Sequence, residues 1–190
     1  MIGVILAVGG VIVYTNYMQN RRLIVDPATY APLLQLIAQA ESNGNYNAYF
    51  GNARNQAINF TKMSIADVMK WQDEHIRQGN ASSAVGRYQI INTTLAGLVN
   101  QLEIDRNHTF DQPVQDNLAI ALIERRGSEQ YVNGELTSEQ FAASLAKEWA
   151  GLPKVIGDNP NDSYYASDGI NAAHVTVDQI KKAIKPIAPK

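Results

Sequence analysis

Six segments between residues 31 and 185 carry apolar residues at helical spacing, each bounded by capping or breaking residues, so the chain must fold as a set of short helices. Leu33, Leu34, Ile37 and Ala38 share one face of a helix over Pro32–Glu41, and Asn43-Gly44 stops it. Ser64 with Asp67 opens a helix over Ile65–Gln78, and Asn92 or Thr93 caps one running to about Leu102. Pro113 opens a helix ending at Gly127. Thr137-Ser138-Glu139-Gln140 has capping-box form for a helix reaching Ala150, and Thr176 caps Val177–Lys185. Residues 45–62 are rich in Asn, Gly, Tyr and Phe without helical period, which predicts a small β-hairpin or irregular lobe. Residues 154–174 read as a polar loop. The expected fold is mainly α, of α+β type: one helical domain over 23–190 with a basic C-terminal tail.

A chain of 190 residues has room for one compact domain with short appendages. It contains no cysteine, which excludes a disulfide scaffold, a thiol nucleophile and thiolate metal sites. His75, His108 and His174 share no helical ligand spacing, so neither a metal nor another cofactor is expected. All 18 acidic residues lie between Asp26 and Asp178 with only 10 of the 16 basic ones, giving that body a charge of −8. An acidic body lacks the basic stripe that a nucleic-acid partner requires.

Residues 2–13 are apolar or glycine, and no charged side chain occurs before Arg21-Arg22. Met1–Asn20 is just long enough to cross a bilayer, with Tyr14 and Tyr17 where interfacial aromatics sit. The basic pair follows the apolar run rather than preceding it, unlike a cleaved signal peptide. Residues 1–22 are therefore expected to be an uncleaved transmembrane anchor, with a lipid membrane as partner through residues 1–20.

The chemistry-bearing residues begin with Glu41, on the apolar face of its helix at the last turn. Burial there disfavours the ionised carboxylate and raises its pKa. Such a carboxylic acid can protonate a leaving oxygen near neutral pH, the first requirement for breaking a glycosidic bond. Ala40-Glu41-Ser42-Asn43-Gly44, a loop of some forty residues, and Ser83-Ala84-Val85-Gly86-Arg87-Tyr88-Gln89-Ile90-Ile91 together resemble lysozyme-like enzymes of the bacteriophage lambda endolysin type. The resemblance continues through Gln115-Asp116-Asn117-Leu118-Ala119, Ile123-Glu124-Arg125-Arg126-Gly127 and Trp149-Ala150-Gly151-Leu152-Pro153, covering roughly residues 32–160. It implies a lysozyme-like fold and a lytic transglycosylase acting on peptidoglycan glycan strands at the β-1,4 bond between N-acetylmuramic acid and N-acetylglucosamine.

A hydrolytic lysozyme needs a second carboxylate ~5–9 Å from the first. Asp67, Asp73 and Glu74 are available but read as a helix-start residue and a solvated helix face, which favours the transglycosylase route. There Glu41 acts first as acid and then as base for the muramyl C6 hydroxyl, closing a 1,6-anhydro ring. A hydrolytic muramidase using Asp67 or Asp73, and a non-catalytic glycan-binding virion protein, are the alternatives. By resemblance, Ser42 bonds substrate or holds the acid, and Gln89 bonds sugar near the scissile bond. Tyr88 stacks on sugar or fills the core, and Tyr164 and Tyr165 close the cleft, although their loop departs in length from the lambda pattern. Arg87 is expected to pair with a buried carboxylate such as Glu124, and Trp149 to be core.

Arg21 and Arg22 favour a body on the cytoplasmic side, whereas the substrate lies outside the cell membrane. A virion with an internal membrane reconciles the two and adds virion structural proteins as partners. A host inner-membrane anchor with the body in the periplasm is the other arrangement.

Overall fold

Residues 26–169 and 171–188, which the computed structural model describes, carry seven α-helices and four 3-10 turns. Helix α1 (Ala31–Ser42) follows a 3-10 turn over Pro27–Tyr30 and ends where Asn43 takes the left-handed conformation, φ 53°. The Gly44 amide then donates to the Ala38 carbonyl, satisfying one of the orphan acceptors of the last turn. Helix α2 (Ile65–Arg77) starts at Ser64, whose Oγ accepts from the Asp67 amide. Helix α3 (Asn92–Gln101) begins on Asn92 itself rather than being capped by it.

Helix α4 (Gln112–Arg125) is the axis of the molecule. Its N-cap is Asp111, and its buried residues run Val114, Gln115 and then Asn117 to Ile123 without a break. A helix buried on nearly every side has neighbours all round it. Here α1, α3 and the short α5 (Ser128–Val132) pack on it. The capping box that the sequence predicts at Thr137/Gln140 opens α6 (Ser138–Ala146), and the predicted Thr176 cap forms a second box with Gln179 to open α7 (Val177–Ile184). Helix α7 closes the bundle against α1 and α6. Two helical features escape the sequence reading. Helix α6 stops at Ala146, four residues short, and α5 forms directly after the left-handed Gly127.

The α+β expectation is corrected. Among the described residues there are no strands, only isolated bridges such as Tyr49 to Val85 and Val85 to Ile90, so the fold is all-α. The reason lies in the asparagines of the lobe at 45–62. Asn55, 4% exposed, donates to the Asn47 and Ile58 carbonyls and accepts from the Ala57 and Ile58 amides. Asn45 donates to the Ala53 and Asn55 carbonyls, and Asn47 accepts from the Thr61 amide. Side-chain carboxamides thus satisfy the backbone groups that a hairpin ladder would have paired, and an irregular lobe results.

The membrane expectation is corrected as well. No helix among the described residues is long and apolar enough to cross a membrane, and the anchor expected at 1–22 lies outside them. The membrane partner and the membrane location built on that anchor are therefore unsupported.

The segment entering α3 is a tight turn over Gly86–Gln89, closed by paired backbone bonds between Val85 and Ile90. Gly86 (φ 78°) is obligatory twice over, because a Cβ there would collide with the Gln115 carboxamide. Gln115, 1% exposed, accepts from the Arg87 amide and donates to the Tyr46 and Phe110 carbonyls. One turn position further on α4, Asp116 accepts from the Tyr88 hydroxyl at 2.6 Å and from the Tyr46 hydroxyl at 2.9 Å. Burial and the Asp116 carboxylate together push the Tyr46 phenol up to about 12 and the Tyr88 phenol higher still, so both remain protonated donors. Asp116→Ala is expected to cost about 2–4 kcal/mol, since two partly or fully buried hydroxyls lose their acceptor. Urea unfolding measures it.

Candidate active site

Helix α1, the 86–90 turn and the segment after α6 converge on a groove of about 670 Å³. Glu41 lies in its wall with Gln89, Trp149, Gly151 and Tyr165, while Tyr49 and Asn52 of the irregular lobe face them. The lobe and the 86–90 turn are joined by backbone bonds, Gly86 amide to Ala48 carbonyl and Phe50 amide to Ala84 carbonyl. The groove is therefore built on fixed backbone on both sides.

Glu41 Oε1 accepts a 2.8 Å hydrogen bond from the Gly151 amide. Burial raises the Glu41 pKa from 4.5 to about 7, and the Gly151 amide opposes that rise only in part. Desolvation wins because Ile37 and Ala38, on the same helix face, are fully buried, and among the described residues no cation is bonded to the carboxyl. With Oε1 occupied by an N–H donor, the acid's proton belongs on Oε2. Gly151 permits this approach by having no side chain. A Cβ there would lie 2.9 Å from Glu41 Oε1, 3.0 Å from the Ala40 Cβ and 3.1 Å from the Ala40 carbonyl oxygen. The Gly151 carbonyl in turn accepts from the His174 amide at 2.8 Å, which ties the loop before α7 to the same point.

The other residues singled out from the sequence divide between groove and scaffold. Gln89 lines the groove, held in a left-handed conformation (φ 47°) with Nε2 donating to the Gly86 carbonyl. Tyr165 lines it too, its hydroxyl donating to the Lys147 carbonyl. Ser42 is 1% exposed, with Oγ 2.7 Å from the Arg87 carbonyl and 3.1 Å from that of Ala38. Its single proton is shared between two backbone acceptors, so it fastens the end of α1 to the 86–90 turn. Tyr88 is 2% exposed and does not line the groove; its hydroxyl is taken by Asp116. Tyr164 lies outside the groove beneath the Lys147 ammonium, 5.8 Å from its ring centroid. Arg87 lies over the Tyr46 ring and donates to Gln35, not to Glu124. Trp149 belongs to both worlds, buried in the core with Nε1 bonded to the Tyr88 carbonyl while its edge lines the groove.

Asp67, Asp73 and Glu74 do not line the groove. Their carboxylates are engaged by Ser64, by Asn92, and by Arg77 and Gln78. The second acidic side chain at the groove is one the sequence reading passed over, Glu148. It is ion-paired to Arg125 at 3.1 Å and to Arg126 at 2.7 Å, and its side chain is 9% exposed. Gly151, Tyr49, Asn52 and His174 are among the other lining residues missed. Of these, only Gly151 carried a sequence signal, its place in Trp-Ala-Gly-Leu-Pro.

A family model described as Endolysin matches residues 31–174. No curated protein and no solved structure matches the chain.

Proposed function

The chain belongs to the endolysin family, and we propose that within it this protein is a lytic transglycosylase that cleaves peptidoglycan between N-acetylmuramic acid and N-acetylglucosamine, with Glu41 as the one catalytic acid and base. The family places the protein among enzymes that degrade the bacterial cell wall. One observation carries the finer assignment: among the described residues two carboxyl groups line the groove, and of these only Glu41 is uncommitted to a cation.

The reaction then runs through a single side chain. Glu41 Oε2–H gives its proton to the glycosidic oxygen as the muramyl C1–O bond breaks, and the N-acetylglucosamine end departs with a 4-hydroxyl. The carboxylate so formed keeps the Gly151 amide on Oε1, which stabilises the new charge. It next removes the proton of the muramyl C6 hydroxyl, whose oxygen bonds to C1 and closes the 1,6-anhydro ring. The proton returns to Glu41, no water is consumed, and the enzyme is restored. Gln89, Asn52 and Tyr165 supply polar contacts to sugar hydroxyls and acetamido groups, and Tyr49 and Trp149 supply ring faces and edges.

A hydrolytic course requires a free second carboxylate. Among the described residues Glu148 is the only candidate on the groove, and two guanidiniums compete for it. Mass spectrometry of products released in H₂¹⁸O decides the matter. Anhydro-muramyl ends without label are expected, and ¹⁸O-labelled reducing ends in their place would establish a hydrolase.

A further inference from the structure

Beside the groove lies a second chamber of about 200 Å³, sharing Gln89, Ile91, Glu148, Trp149 and Tyr165 with it. The glycosidic chemistry above gives this chamber no task. Two independent properties mark it out. Of the five exposed large apolar side chains among the described residues, Ile91 (42%) and Tyr165 (41%) line it. A third, Tyr164 (38%), lies beneath Lys147, itself a lining residue. Exposed apolar surface gathered at one place signals a binding surface rather than scatter.

The second property is charge. On a body of −8, this corner is basic. Among the described residues Glu148 is the only acidic side chain lining the chamber, and Arg125 and Arg126 both converge on it. Among the described residues the Lys147 ammonium is paired with no carboxylate, and it lies over the face of Tyr164, 5.8 Å from the ring centroid. An ammonium over an aromatic ring, next to apolar surface and one wall away from the acid, suits a ligand with small apolar groups and a free carboxylate.

We propose that this chamber is a subsite for the acidic peptide branch carried by the muramyl residue, with Lys147 pairing a branch carboxylate and Ile91 and Tyr165 covering its small side chains. The proposal rests on the glycan-cleaving assignment, because it takes the branch of the strand that occupies the groove. It makes the protein prefer peptide-bearing strands over bare glycan.

The test compares kcat/KM on glycan strands with intact peptides and on the same strands stripped by an amidase, for the full chain and for Lys147→Met. That substitution keeps the Lys147 carbonyl that Tyr165 and Arg126 bind, so the groove wall is preserved. The parent is expected to prefer intact strands about tenfold. Lys147→Met should lower the rate on intact strands about threefold, the yield of one exposed ion pair, and leave stripped strands unaffected. Raising salt should mimic it in the parent. Equal rates on both substrates, or an equal loss on both in Lys147→Met, overturns the subsite. Failure to cleave either substrate overturns the transglycosylase assignment itself, so the two failures are told apart.

Discussion

Glu41→Gln is expected to abolish cleavage of purified cell walls, by at least about 10³-fold, while making the protein more stable at alkaline pH. The loss of rate follows from the chemistry, because a carboxamide can neither give the proton to the leaving oxygen nor take the one on the C6 hydroxyl. General acid–base catalysis by one group is worth ~10²–10⁴, and here one side chain serves in both steps. The gain in stability follows from the same burial. The Glu41 carboxyl is held at about 7 against an ordinary 4.5, so the folded chain binds its proton more tightly than the unfolded one. That linkage favours folding below about pH 4.5 and is lost as pH rises through 7, where the buried group must ionise. At pH 8 the difference amounts to about 3 kcal/mol against the folded state. Glutamine has the same shape and no charge to bury, so Glu41→Gln should melt higher than the parent by roughly 5–10 °C at pH 8. At pH 4, where the parent carries a neutral acid too, the two should melt together. Thermal unfolding at the two pH values measures both. A variant equally inactive but no more stable at pH 8 would mean that the carboxyl is solvated in the parent.

Gly151→Ala is the second large effect, about 10²-fold in activity, and it reaches the reaction only through Glu41. No positive φ is required at this glycine, so alanine suits the backbone there; the obstacle is the three atoms around the new methyl. Two of them are backbone or Cβ atoms of α1, which is packed into the core and cannot retreat. The carboxyl is the movable partner, and it must leave the Gly151 amide. A displacement near 1 Å of a catalytic group costs on the order of 10²-fold. Because the displaced carboxyl loses its N–H donor, its pKa should rise further, and the alkaline limb of the pH–rate profile should move to higher pH. A purely structural lesion would lower the rate without moving that limb. The melting temperature and the profile, recorded on the same preparation, separate the two.

How much of this could be read from the sequence differs from element to element for physical reasons. Helices with capping side chains were legible, since Ser64, Thr137 and Thr176 act within a few residues of themselves. The short α5 was not, because its place depends on packing against α4 and on the contact between Ser128 and Tyr30, 98 residues apart. The lobe at 45–62 was recognisable as non-helical, but its asparagines bond carbonyls and amides up to 14 residues away, which no periodicity records. At the site, the helical spacing of Glu41 announced a buried acid. The same spacing could not reveal that its partner is a backbone amide 110 residues further on. Tyr88 and Ser42 stand beside groove residues in the chain yet are buried, because successive residues of a helix end or a tight turn project in different directions. Glu148 is invisible as a groove residue for a related reason: its surroundings are set by two arginines at the C-terminal end of α4, more than 20 residues away in the chain.

Inside the groove Glu41 keeps its proton up to about pH 7. Carboxyl ¹³C NMR on protein labelled at glutamate, with Glu41→Gln to assign the resonance, measures it without reference to any substrate. A midpoint at about 7, matched by the alkaline limb of the cleavage rate, is expected. A midpoint near 4.5, with cleavage undiminished at pH 6, would contradict it.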